Sequence, residues 1–303
     1  MAQMATTPDT VPASVVARPT TSRGAATLRL LLHNKVGAAG FAIFLFFVLL
    51  AIFGPLIVSG DTTTNLTQIY QAPSSRHIFG TDYEGRDVLV QIVRGGRSIM
   101  IVGALAALLS TAIAVTFGAL SAFIGGWLDS LILTVADVVL TIPYIILLGV
   151  LAAFIKLSSP ILLAFIIAAV SWPTLLRAVR AQVLSLKERE YIEAARMLDL
   201  GTPYIIFREV IPNMMSYIVI NFVIAMTSAI YGQIILYFLG LVPLAGDNWG
   251  LMINLAYTRG ALFFRNSLWY ILSPILAISL LQLSLVMISR SLEEIFNPRL
   301  REG

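Results

Sequence analysis

The chain contains no cysteine and only two histidines, His33 and His77, far apart in sequence. That excludes disulfides and thiolate metal sites and leaves no ligand set for a catalytic metal. Charge is also scarce. Asp, Glu, Lys and Arg make up 12% of the 303 residues, where a soluble chain carries roughly a quarter. There is no Gly-x-x-x-x-Gly-Lys-Ser/Thr loop to cradle a nucleotide, no Gly-x-Ser-x-Gly elbow and no His-Glu-x-x-His pair. The sequence therefore predicts neither ATP hydrolysis nor another enzymatic activity in this chain, and no metal or cofactor of its own. A fixed 20 to 50 residue repeat and a heptad run are absent as well, so nothing supports an inverted-repeat carrier.

What is present is hydrophobicity, at 58% of residues. It comes in runs near the roughly 20 residues that carry an α-helix across a bilayer. Apolar stretches bounded by charge, Gly or Pro predict six spans, at 36–58, 98–124, 128–155, 159–179, 213–241 and 267–289. The expected class is an all-α, polytopic membrane protein with lipid as its solvent. Gly125-Gly126 before Asp129 predicts a tight turn between spans two and three; one long kinked helix is the alternative. Residues 1–35 read as a flexible tail. They are not a cleaved signal, because the apolar run after them is too long. Residues 36–303 form the membrane domain.

The net charge is +4, but the basic residues are spread between the apolar runs rather than gathered into one patch, which argues for topology signals and against nucleic acid. With six spans, thirteen Lys and Arg fall on the side of both termini and the 177–212 segment, and seven on the other. Loops rich in Lys and Arg stay in the cytoplasm, so both termini and that segment are expected inside. The outer loop, 59–97, holds an Asn65-Leu66-Thr67 acceptor pattern, and Gly85 to Arg94 alternates charge with apolar residues as an interfacial helix would.

Ionisable residues at bilayer depth are expensive and usually functional. Only Asp137 sits clearly inside a predicted span, away from its ends, while Lys156 lies near a span end and can snorkel. The fifth span offers Asn221, Thr227, Ser228, Gly232 and Gln233, small or polar side chains that suit either a solute path or close helix packing. Trp249, Met252 and Asn254 are candidates for an outer protein contact.

The charged segment 180–212 carries the most information. Ser185 to Gly201 is built of good helix formers and ends at a glycine suited to a C-cap. Leu184, Tyr191, Ala194, Ala195 and Leu198 are expected on one face, with Lys187, Glu190 and Arg196 around it. Thr202-Pro203 restarts a second segment, Tyr204 to Val210, closed by Ile211-Pro212. The prediction is helix, turn, helix outside the membrane.

Glu193-Ala194-Ala195, the following glycine and Ile211-Pro212 resemble the EAA loop of ABC-type importer permeases. Two small alanines let a helix settle into a groove on another protein, and flanking charges set its register. Gly80-Thr81-Asp82-Tyr83-Glu84-Gly85-Arg86-Asp87-Val88-Leu89 is similar to the GTDxxGRDVL segment of the dipeptide, oligopeptide and nickel permease family, second-subunit type. Asn248-Trp249-Gly250-Leu251-Met252 and Asn297-Pro298-Arg299-Leu300-Arg301 resemble two further stretches of that family, and the likeness runs from about 36 to 301. Two positions depart: Asp199 stands where the family has glycine, with Gly201 two places later, and the terminal Asp-Pro is Asn297-Pro298.

The resemblance implies a type I ABC importer permease fold. It further implies a homologous second permease, two cytoplasmic ATPase subunits that bind ATP and Mg, and an extracytoplasmic solute-binding protein. Glu190, Glu193, Ala194, Ala195, Arg196, Asp199, Gly201 and Pro212 would couple to the ATPases, and Asp137, Asn221, Thr227, Ser228 and Gln233 are candidates to line the pathway. Di- or oligopeptides are the implied cargo, with oligosaccharides or nickel as alternatives. From another class, an ATP-independent carrier would use Asp137 and the fifth-span polar residues, and a scaffold would need neither.

Overall fold

The computed structural model describes residues 23–58, 63–155, 159–242 and 246–296. The N-terminal 22 residues, Lys156 and the Asn297 to Arg301 motif lie outside them. Among the described residues the regular structure is helical, apart from one antiparallel bridge between Thr81 and Asp87. Five helices are long and apolar enough to cross a membrane, and six crossings result if one bent pair counts as a single span.

The expected tail is helical in its last part, as α1 (Arg23–His33). Leu31 packs there against Ile288 and Leu292 near the chain's other end. Asn34 ends α1 and caps the first long helix, α2 (Lys35–Ile57), accepting from the amides of Val36 and Gly37. Its Nδ2 also donates to Glu294 Oε2 at 2.7 Å.

Helix α3 (Val88–Ile124) starts ten residues earlier than the expected span. The stretch read as a surface helix is its first turns. Val88, Val90, Gln91, Ile92 and Val93 are buried there, because charge at Asp87 serves as the N-cap, accepting from Val90 N, rather than as the polar face of a separate helix. The predicted glycine turn is present: Gly125 and Gly126 both take positive φ, at 71° and 62°, a region open to glycine at little cost.

After it come α4 (Gly126–Thr141) and α5 (Tyr144–Phe154), which meet at 88°. The expected continuous third span is thus broken, and the cause is local. Pro143 bars the α conformation at Ile142, which lies extended at φ −89°, ψ 128°. Helix α6 (Pro160–Leu186) runs about two turns past the expected end, so Arg177 and Arg180 belong to a long helix rather than to a loop. The next elements are α7 (Glu190–Met197), helical turns from Thr202 to Asn213, α8 (Met215–Phe238), α9 (Trp249–Thr258) and α10 (Leu268–Phe296). Helix α3 is the spine: α6 and α8 pack along it, and α2 pairs with α10.

Candidate functional site

The segment between α6 and α8 leaves the bundle, turns at Lys187–Arg189 and forms α7. One face of α7 is fixed. Ile192 and Ala195 are buried with Val179 and Val183 of α6, Ala119 and Ala122 of α3, and Ile206 and Val210 of the returning turns. Arg196 lies over the Phe123 ring at 5.0 Å, at the end of α3. The helix is therefore seated directly on the ends of α3 and α6.

The buried face differs from the expected one. Of the predicted stripe, Ala195 is buried and Leu184 partly so, but Tyr191, Ala194 and Leu198 are exposed. Leaving Ile192 out of the pattern rotated the stripe by one residue, about 100° on a helix of 3.6 residues per turn. What remains outward is Tyr191, Glu193, Ala194, Met197 and Leu198, with Met197 86% exposed. Glu190 and Glu193 occupy the first turn of α7 and Arg196 the last, each complementing the helix dipole.

The helix stops at Asp199, not at Gly201. Asp199 has φ 53°, its amide donates to Arg196 O at 2.9 Å and the amide of Leu200 to Ala195 O at 3.2 Å. These are the two bonds of a Schellman cap, and Leu200 adds the usual apolar contact by packing on the cluster that holds Ala195. Asp199 thus adopts the left-handed geometry that glycine would, while Gly201 sits at φ −59°, ψ 149° and needs no special freedom. Asp199→Gly is expected to stabilise the loop by roughly 0.5–1 kcal/mol and Asp199→Val to destabilise it by about 1–2 kcal/mol. Limited-proteolysis rates across 187–214 measure both. Pro212 follows a widened π turn at Ile205–Val210; a proline ring crowds the carbonyl four residues back, which the wider turn relieves.

On the opposite side of the bundle, the Thr81 to Asp87 motif organises itself. Asp82 is fully buried and accepts from Glu84 N at 2.8 Å, Arg86 N at 2.9 Å, Arg86 Nε at 2.8 Å and Gln91 Nε2 at 2.9 Å. Burial lowers the Arg86 pKa, but Asp82 and Glu84 beside it outweigh that and raise it. Asp87 caps α3 and also meets His77 Nδ1 at 2.8 Å. Gly80 and Gly85 take φ 73° and 74°, and a Cβ on either would run into a backbone carbonyl, of Gln71 and Asn65 respectively. In the acceptor pattern, Asn65 Oδ1 is engaged by Thr67 N and Oγ1.

Trp249 and Met252, expected at a protein contact, are core residues. Trp249 is fully buried, donates from Nε1 to Ile92 O at 2.8 Å, and lies flat enough on α3 that a Cβ at Gly95 or Gly96 would come within 3.0 or 2.9 Å of its ring. Met252 is buried in the same cluster, and Asn254 Nδ2 holds Phe238 O at 2.7 Å.

Between these two ends, the break at Pro143 opens a cleft of about 470 Å³ against α3, α6 and α8. Its polar lining comprises Ser110, Tyr144, Ser171, Thr174, Asn221 and Ser228. Of the pathway candidates, Asn221 and Ser228 thus line the cleft. Gln233 does not: it is fully buried and its Nε2 donates to Ile99 O at 2.9 Å, a strut between α8 and α3. Thr227 Oγ1 donates to Val223 O of its own helix at 2.9 Å, and its carbonyl accepts from Gln282 Nε2 of α10 at 3.3 Å. Asp137 is not alone in the bundle, because Arg177 pairs with it. The sequence hid this partner because Arg177, at the end of the predicted span, reads as part of the charged segment that follows; the apolar periodicity through Val179 and Val183 was the available signal.

Two families match the chain. Residues 114–302 fit the binding-protein-dependent transport system inner membrane component, and residues 22–73 fit the N-terminal TM domain of oligopeptide transport permease C. The chain is 34% identical over 239 residues to the oligopeptide transport system permease protein OppC of Bacillus subtilis, covering 76% of this chain and 78% of that protein. It is 33% identical over 270 residues to the dipeptide transport system permease protein DppC of Alkalihalophilus pseudofirmus, covering 88% and 87%. With the DppC of Bacillus subtilis it shares 32% identity over 295 residues, 95% of this chain and 90% of that protein.

Proposed function

The chain belongs to the family of binding-protein-dependent transport system inner membrane components, and on that premise we propose that it is one half of the membrane pathway of an ATP-driven importer of di- or oligopeptides. As a permease subunit it is non-catalytic, and ATP and Mg are bound by two separate cytoplasmic ATPases. A homologous second permease supplies the other half of the path, and an extracytoplasmic binding protein delivers the solute. The cargo assignment follows the names of the relatives, which are oligopeptide and dipeptide permeases.

The fold reading is six crossings with both termini in the cytoplasm, in the type I importer arrangement. The Asn34 to Glu294 hydrogen bond supports it, since the start of α2 and the end of α10 can meet only after an even number of crossings. That requires α4 and α5 to make one bent crossing together. The excess of Lys and Arg on the terminal side supports the cytoplasmic orientation.

The observation that carries the function is the two-sided α7. Its inner face is locked to α3 and α6 through Ile192 and Ala195, and its outer face leaves Tyr191, Ala194, Met197 and Leu198 exposed among the described residues. In this reading Glu190, Glu193 and Arg196 orient the contact, while Asp199, Gly201 and Pro212 hold the loop's shape. A push from an ATPase on such a helix moves the ends of two spans as a rigid unit.

The two alanines separate docking from folding. Ala194→Trp adds bulk to the exposed face and is expected to leave the permease folded while weakening ATPase co-purification at least about tenfold, the scale of a blocked interface core. Ala195→Trp overpacks the buried face and is expected to destabilise the loop by about 1–3 kcal/mol. Normal ATP-dependent uptake by the Ala194→Trp importer in proteoliposomes would sink the coupling role, and uptake by this chain alone without ATPases would replace it with a secondary carrier.

A further inference from the structure

Helices α4 and α6 are joined by two ion pairs of different character. Asp129 is closed: Arg180 holds both its oxygens, through Nε at 2.7 Å and Nη2 at 2.6 Å, and Ser121 Oγ adds a third bond. That pair sits beside the Gly125-Gly126 turn and fixes it. Asp137 and Arg177 are open. Among the described residues they are joined only through Oδ1 and Nη2, and their side chains stay 55% and 51% exposed.

Asp137 lies eleven residues into α4 and Arg177 nine residues before the end of α6. At 1.5 Å per residue, Asp137 stands about 16 Å from the start of α4 and Arg177 about 14 Å from the end of α6. A half-exposed pair of charges is too costly on a lipid face, so this face meets water or protein. One helical turn away, Leu140 and Thr174 line the cleft at the Pro143 break. The cleft's polar groups are all neutral, and the Tyr144 hydroxyl among them is buried without a partner. The open pair supplies both signs of charge at the rim of a neutral polar chamber.

We propose that Asp137 and Arg177, with the cleft behind them, form a subsite for a zwitterionic solute: the carboxylate end on the unused Nε and Nη1 of Arg177, and the ammonium end on Asp137 Oδ2. Exchange of one ion pair for two leaves net charge at bilayer depth unchanged, so a zwitterion can pass without exposing a lone charge. A carbohydrate offers no such exchange. The inference rests on the peptide reading above.

The test uses the complete importer in proteoliposomes with trialanine, its C-terminal amide and N-acetyl-trialanine. Arg177→Gln is expected to lower trialanine uptake about tenfold, the worth of a charge-assisted hydrogen bond, with little change for the amide. Asp137→Asn is expected to do the same for trialanine and spare the N-acetyl form. Because the chain has no native cysteine, Ser228→Cys in an otherwise unaltered chain gives a second readout that needs no change to the pair. An aqueous thiol reagent should label it, and trialanine should slow that labelling several-fold where xylotriose does not. If Arg177→Gln misfolds, the exchanged pair Asp137→Arg with Arg177→Asp keeps the bridge and should restore assembly.

Trialanine and its amide falling together in Arg177→Gln, with no protection of the cysteine, would reduce the pair to a structural bridge and leave the peptide reading standing. An unaltered importer that takes up xylotriose and none of the peptides would overturn both. A cysteine at 228 that aqueous reagents cannot reach in the assembled complex would also overturn the subsite.

Discussion

Asp82→Ala is expected to lower the stability of the folded permease by about 3–5 kcal/mol, the range for removing one member of a buried, hydrogen-bonded charge pair. Four donors converge on that carboxylate, from Glu84, Arg86 twice and Gln91. Alanine would leave the Arg86 guanidinium with Glu84 at 3.3 Å as its remaining ion-pair partner, and the Gln91 amide buried without an acceptor. The loop that closes the N-terminal end of α3 would open, because the Asp82 amide donates to Arg86 O and Thr81 bridges to Asp87 in the same turn. Unfolding of the purified protein in detergent, followed by near-UV signal and by protease cleavage within 63–87, measures it. Asp82→Asn keeps the shape but turns an amide toward donors, and should fall between the two. A loss below about 1 kcal/mol for alanine would mean that water replaces the carboxylate, and that the motif is not what holds the loop.

Trp249→Ala should cost about 3–5 kcal/mol as well, by a different route. The ring is fully buried, rests on Gly95 and Gly96, meets Phe47 edge to face at 5.7 Å, and spends its one polar atom on Ile92 O. Removing it leaves a cavity between α3 and α9 that rigid helices cannot close. Gly96→Leu approaches the same contact from the other side and should also destabilise, since the added side chain meets the ring at the start. Combined with Trp249→Ala it should cost less than the sum of the two, because each change occupies or vacates the same space. Thermal midpoints of the single and double variants decide this, and strict additivity would show that the two positions do not share a packing site.

Much of the architecture was legible because lipid imposes it. Apolar runs near 20 residues, the glycine turn at 125–126 and the charged loop before α8 follow from length and composition, and they needed no knowledge of neighbours. Local bends were less legible. Pro143 could be read as a breaker, yet a proline within an apolar run is tolerated in membrane helices, as Pro55, Pro173 and Pro274 are inside α2, α6 and α10. Nothing local distinguishes the proline that bends a span from three that do not.

The motifs were found before their roles. Glu193-Ala194-Ala195 pointed to a docking helix, but treating the alanines as equivalent missed that one packs inward and one faces out. Trp249 and Gln233 looked like groups available to partners or solute, and each is spent inside the chain. Polar side chains in sequence carry no sign of whether a second residue, 134 or 157 positions away, has claimed them.

The sequence by itself determined that this protein lives in a membrane and where its apolar runs and its charged motif lie, because hydrophobic length, charge and helix period act locally. Only the tertiary structure decided which residues are structural and which are free: Asp129 closed by Arg180, Asp137 left open beside Arg177, Ala195 inside and Ala194 outside. Those differences depend on packing partners distant in the chain, where a rotation of one residue about a helix exchanges a buried side chain for an exposed one.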